Sequence, residues 1–199
     1  MSEYIKFSCE RVAAEITSFD GLAELNAHGR KLLQLGLIGM DPNGIGFGNM
    51  SVRDGATAKF YITGSATGGI HELTLADCAK VVACDLERNC VRYEGSALAS
   101  SESLTHAAIY ESDATAGAVI HCHDFKLRAA VLNEAPTTSK AAEHGTTELA
   151  YEIMQLFKHA DVSSRKIIVM AGHGAGILTL GKDLEEACAV LTGESKGAV

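Results

Sequence analysis

His121 and His123 stand one residue apart in AVIHCH, and His173 follows well downstream in VMAGHG. Residues i and i+2 of a β-strand project from one face, so both imidazoles of a His-x-His pair can reach a single cation. A third histidine at the end of another strand completes a three-nitrogen set. With three neutral imidazoles and an open fourth position, Zn²⁺ acts as a Lewis acid on a bound oxygen, whereas four protein ligands would only hold the fold together. A strand-end histidine beside glycine can also be no more than a hydrogen-bonded turn residue. Both stretches, however, close strongly apolar strands, AGAVI and KIIVM, and reactive groups of α/β proteins gather where strands give way to loops. The expectation is an open divalent-metal site on His121, His123 and His173.

Three further segments carry chemistry of a second kind. GFGNMS sets Gly46 and Gly48 around Asn49, with Ser51 two residues on, and ITGSATGG repeats the theme at Gly64, Gly68 and Gly69. Glycine lets backbone N–H groups approach an anion closely. Ser100-Ser101-Glu102 precedes a helical stretch, where hydroxyls, free N–H groups and the helix dipole make a seat for phosphate. Singly, each segment reads equally well as a turn or a cap; their weight lies in occurring together.

The elements that must position these residues follow from periodicity. Residues 18–37 read as a helix closed by Gly39, Pro42 and Gly44, and 49–53 with 59–63 as a hairpin. Strands are expected at 79–85, 90–93, 118–122, 166–170 and 176–180, and helices at 101–110, 125–133, 146–160 and from 184 onward. In the helix at 146–160, Leu149, Ala150, Ile153, Met154 and Phe157 form an apolar stripe, and Tyr151 is read as core with them. Hairpin-joined strands interspersed with helices favour a three-layer α/β/α fold, its mainly antiparallel central sheet covered by helices on both faces.

The 199 residues, 47% apolar, suit one sizeable core, so one domain over 1–199 is expected. A net charge of −8 without Lys/Arg clusters argues against nucleic acid and for a small-molecule partner. No run of apolar residues is long enough for a membrane span, and the start, MSEYIKFSCERVAAEI, is too acidic for a signal peptide, so a cytoplasmic protein is expected. The six cysteines form no Cys-x-x-Cys pair, which fits reduced, buried thiols. Strand alternation turns Cys122 away from the flanking histidines. His144 reads as an exposed loop residue or a place at a pocket rim, and His28, His71, His106 and His159 have no matching partners in the pattern.

The order Gly-Asn-x-Ser, Thr-Gly, Ser-Ser-Glu, His-x-His, His-Gly resembles the class II aldolase/adducin family over residues 22–191. The resemblance implies Zn²⁺ on His121, His123 and His173. It also implies a substrate phosphate among Asn49, Ser51, Gly64, Ser100 and Ser101, with Glu102 as the proton-transferring base. It implies a homotetramer and a Zn-dependent aldolase that cleaves a ketose 1-phosphate to dihydroxyacetone phosphate and an aldehyde. Epimerases, dehydratases and decarboxylases of the family use the same parts, and a non-catalytic adducin-like module is the remaining alternative. Two departures mark this chain. The stretch 133–145, NEAPTTSKAAEHG, is shorter than in the family's aldolases, and Gly46 stands where they carry threonine.

Overall fold

The computed structural model describes residues 5–132 and 134–193. The chain begins with strand β1 (Ser8–Arg11) and helix α1 (Leu22–Gln34), then a small two-stranded sheet, β2 (Gly39–Met40) with β3 (Gly46–Phe47). Two hairpins follow, β4 (Asn49–Arg53) with β5 (Phe60–Thr63) and β6 (Cys78–Asp85) with β7 (Cys90–Glu94). Helix α2 (Ser103–Ser112), strand β8 (Ala118–His123) and helix α3 (Phe125–Val131) lead to helices α4 (Thr147–His159) and α5 (Val162–Arg165). Strands β9 (Ile167–Val169) and β10 (Gly176–Gly181) and helix α6 (Leu184–Thr192) complete the order.

Eight strands form one sheet in the order β1-β7-β6-β5-β4-β8-β10-β9. All its strand pairs are antiparallel except β1 with β7. Strand alternation sorts its side chains into two cores. On one face Phe60, Val81, Val119 and Leu178 meet Leu104 and Ile109 of α2 and Leu149 and Ile153 of α4. On the other, Met50, Ile120, Cys122 and Ile177 meet Leu25 and Leu32 of α1 and Leu184 and Cys188 of α6. Each fully buried Leu or Ile among them contributes about 1.5–3 kcal/mol of burial. The fold is the expected three-layer α/β/α arrangement, with a mainly antiparallel central sheet.

Strand β1 and the β2/β3 pair were not expected. All four β1 side chains are exposed, so no apolar alternation marks them, and the other two strands have only two residues each. Tyr151 is not core: it is 45% exposed, because the buried face of α4 is Leu149, Ala150 and Ile153. The strand expected at 166–170 starts one residue later, since Lys166 ends α5 in a left-handed conformation, φ 56°. The helix expected at 125–133 stops at Val131, and residue 133 lies outside the described residues.

Candidate active site

Strand β8 lies between β4 and β10, and its register sets the site: His121 pairs with Asn49 on one side and Leu178 on the other, and His123 pairs with Gly176. Val119, His121 and His123 share the α2 face of the sheet, while Cys122 is buried on the opposite face. His173 comes from the turn joining β9 to β10, where its N–H donates to the Met170 carbonyl at 3.1 Å and its carbonyl accepts from Gly176 N–H at 2.6 Å. A Cβ at Gly176 would stand 2.6 Å from the His173 ring, so this turn can seat the imidazole only above a glycine.

The three rings converge. Their centroids are 5.0, 5.2 and 4.7 Å apart, and one nitrogen from each lies within 4.8 Å of the others. Nitrogens about 2.1 Å from one tetrahedral ion would be about 3.4 Å apart, so small ring movements suffice to meet zinc. His123 Nε2 and His173 Nε2 are 2.9 Å apart, and His121 Nε2 is buried without a hydrogen-bond partner. Burial lowers the pKa of all three, to about 4 for His173, although Glu102 opposes the shift. The rings are therefore neutral near pH 7, each with a lone pair to give. This donor set fits a divalent metal.

Glu102 occupies the N-cap position of α2 and is 1% exposed. Its Oε2 accepts from the Thr105 hydroxyl at 2.7 Å, whereas Oε1 has no hydrogen-bond partner. Burial opposes ionisation, but His144, the charge that His121 and His173 carry when protonated, and Thr105 outweigh it and hold the carboxyl below the ordinary carboxylate range. The carboxylate is thus the resting form, suited to accepting a proton.

These groups border a cavity of about 260 Å³ that also takes in Asn49, Gly64, Ser100 and Ser101. Asn49 approaches His121 Nδ1 through its amide nitrogen at 3.2 Å, while its Oδ1 is buried and unpaired. Turning that amide over would satisfy Oδ1 against Nδ1–H and leave the Nε2 lone pair for a metal, the usual tautomer of a ligating histidine. No lysine or arginine lines the cavity among the described residues. An anion there would be held by hydroxyls, amides and the N-terminus of α2.

Two residues grouped with this anion seat are placed otherwise. Ser51 does not line the cavity: its hydroxyl is buried beneath α2, 2.7 Å from His106 Nδ1 and 2.8 Å from the Tyr110 hydroxyl. It shares a face of β4 with Asn49, but two residues along the strand the helix has closed over the sheet. His106, which showed no partner in the sequence pattern, is thereby accounted for. Gly64 does line the cavity, yet its N–H is spent on the Asp77 carbonyl at 2.8 Å, and that of Ser65 on the Leu98 carbonyl at 2.9 Å. The open donors of this turn are the Ser65 hydroxyl and the Ala66 N–H. Ala66 adopts a left-handed φ of 62°, and its carbonyl would stand 2.3 Å from a Cβ at position 46. Position 46 requires glycine because the turn occupies the side-chain space.

Sequence reasoning also missed Phe47, stacked on His123 with centroids 5.1 Å apart, and underrated His144. His144 stands at the rim, its ring centroid 4.4 Å from that of His173.

Residues 24–193 match the profile of the Class II Aldolase and Adducin N-terminal domain. The chain belongs to this family. Among solved structures it is similar to an L-fuculose 1-phosphate aldolase, with 27% identity and a TM-score of 0.66 over 89% of this chain and 82% of that one. YgbL from Escherichia coli, a candidate aldolase/epimerase/decarboxylase, shares 17% identity at a TM-score of 0.65, over 89% and 86% of the two chains. A sugar-phosphate aldolase from Thermotoga maritima shares 15% at 0.65, over 90% and 92%. The last two likenesses concern the fold alone. No curated protein sequence matches the chain. Among the described residues no helix is long and apolar enough to cross a membrane.

Proposed function

We propose that this family member is a Zn²⁺-dependent class II aldolase that reversibly cleaves a ketose 1-phosphate to dihydroxyacetone phosphate and an aldehyde. The observation that carries this reading is the convergence of three neutral imidazoles and an ionised carboxylate oxygen that accepts no hydrogen bond at one end of a cavity, with hydroxyl and amide donors at the other.

His121, His123 and His173 would hold the zinc. Zinc supplies a Lewis acid that stabilises the negative charge developing on the substrate's ketone oxygen. Ser100, Ser101, Ser65 and the Ala66 N–H seat the phosphate, with Asn49 and Gly64 shaping the wall between phosphate and metal. Cleavage removes a hydroxyl proton and breaks the adjacent C–C bond, and the electron pair of that bond passes into the ketone to form an enediolate. The ionised Glu102 Oε1 takes up the proton that the hydroxyl gives up and delivers it to the enediolate carbon, and in the synthetic direction it removes the proton from that carbon and returns it to the new hydroxyl. Burial excludes bulk water from the carboxylate and preserves its orientation.

The reading extends to one domain over the whole chain, assembled as a homotetramer in the cytoplasm. Phe125, 75% exposed at the start of α3, and Met40, 59% exposed beside the cavity's β2/β3 wall, support an apolar contact between copies. Cys78 and Cys122 are buried as free thiols, as befits a reducing compartment.

The test is metal content of the purified protein coupled to an assay for dihydroxyacetone phosphate over a panel of ketose 1-phosphates. Chelator-sensitive release by protein carrying about one zinc per chain is expected. Loss of water or CO₂ from a sugar phosphate, without C–C cleavage to the ketone phosphate, would replace the aldolase by a dehydratase or decarboxylase. Protein that binds no divalent metal would sink the reading.

A further inference from the structure

We propose that His144 is a positioning residue that aims the free oxygen of Glu102; what Glu102 then does rests on the aldolase reading above. Glu102 is held at one oxygen only, by Thr105 one turn along its own helix. A buried carboxylate oxygen left without a donor is costly, so some group must serve it in the working site. His121, His123 and His173 have their facing nitrogens directed at one another for a metal. His144 Nδ1 lies 3.5 Å from Glu102 Oε1 and belongs to no such cluster. A charge-assisted N–H···O bond is about 2.8 Å long, so roughly 0.7 Å of closure would make one.

The loop before α4 brings His144 there from a separate part of the chain. Ser139 donates to Glu152 from its N–H at 2.7 Å and its hydroxyl at 2.6 Å, Glu143 pairs with Lys6 at 2.6 Å, and the Thr146 hydroxyl accepts from Leu149 N–H at 3.3 Å. Between them Gly145, at φ 71°, turns the backbone against the Ser101 carbonyl, to which a Cβ would approach within 3.0 Å. The loop thus ties His144 to the start of α2, and its ring rests on His173. The His144 side chain is 26% exposed at the cavity rim, against 1% for Glu102 beneath it.

The variants His144→Phe and His144→Asn test this in the zinc-loaded protein. Phenylalanine keeps a ring against His173 and removes the donor; asparagine restores a short N–H donor. With His144→Phe, kcat is expected to fall by about ten-fold or more, with KM and zinc affinity by chelator competition within about two-fold of the parent and the thermal midpoint within about 4 °C of it, and His144→Asn to recover part of the loss. In nitrogen-detected histidine NMR, Glu102→Gln should displace the His144 resonance, identified by its absence in His144→Phe. An unmoved resonance overturns the proposal, as does unchanged kcat in His144→Phe. Zinc affinity that falls together with kcat would make His144 part of the metal shell and overturn it equally. If the parent protein cleaves no ketose 1-phosphate, the aldolase reading fails by itself, and the NMR result still decides whether His144 and Glu102 are coupled.

Discussion

The two ends of the cavity are built differently. The metal end consists of side chains anchored to regular elements: His121 and His123 on β8, with sheet register setting their places against Asn49 and Gly176, His173 in the turn that leads into β10, and Glu102 at the N-cap of α2. The anion end consists of turns, where a left-handed Ala66, a spent Gly64 amide and a free Ser65 hydroxyl decide which donors face the cavity. Chemistry carried by side-chain type survives small backbone changes. Chemistry carried by backbone amides depends on where each carbonyl and N–H already finds a partner.

The sharpest contrast between the ends comes from breaking the metal end. His123→Ala is expected to lose zinc and, with it, activity by a factor of at least about 10³, read by metal analysis and cleavage assay; full activity in the metal-free variant would sink the mechanism. Glu102→Gln separates the two parts of that end: zinc should stay bound while kcat falls by about 10²–10⁴. At the anion end, Ser65→Ala should raise KM for the sugar phosphate by about ten-fold or more, the cost of one hydrogen bond to a charged group, and leave zinc and kcat nearly unchanged.

The smallest effect on catalysis belongs to the layer beneath both ends. Ser51→Ala should leave KM alone yet cost about 1–3 kcal/mol of stability in denaturant titration, since His106 and Tyr110 would lose a buried partner. His106 extends this to pH. Burial lowers its pKa from 6.5 to about 4, with Glu102 opposing. The unfolded chain therefore takes up the proton first, so the contribution of neutral His106 is complete above about pH 6.5 and lost as the pH falls toward 4. The loss is about 3 kcal/mol in the stability profile, and His106→Gln should flatten it.

Much of the metal end was legible because its signals are periodic. His-x-His places two rings on one face whatever surrounds the strand, and Cys122 between them was correctly turned to the opposite core. Ser-Ser-Glu marked the helix start that holds Glu102. The same rule failed for Ser51, which shares the Asn49 face of β4: alternation gives the face, but not the point at which α2 covers it. Tyr151 failed in the reverse direction, since the stripe on α4 is narrower than the apolar run. His144 and Ser65 carried no periodic signal at all.

Strand alternation, helical spacing and residue chemistry are local, so the sequence by itself determined the three-layer architecture and the set of imidazoles and carboxylate assembled on it. Tertiary structure alone decided which hydroxyls and amides face the cavity, why position 46 must be glycine, and that His144 meets Glu102. Those outcomes depend on contacts between segments distant in the chain, where a carbonyl or a helix has already claimed the space or the hydrogen bond.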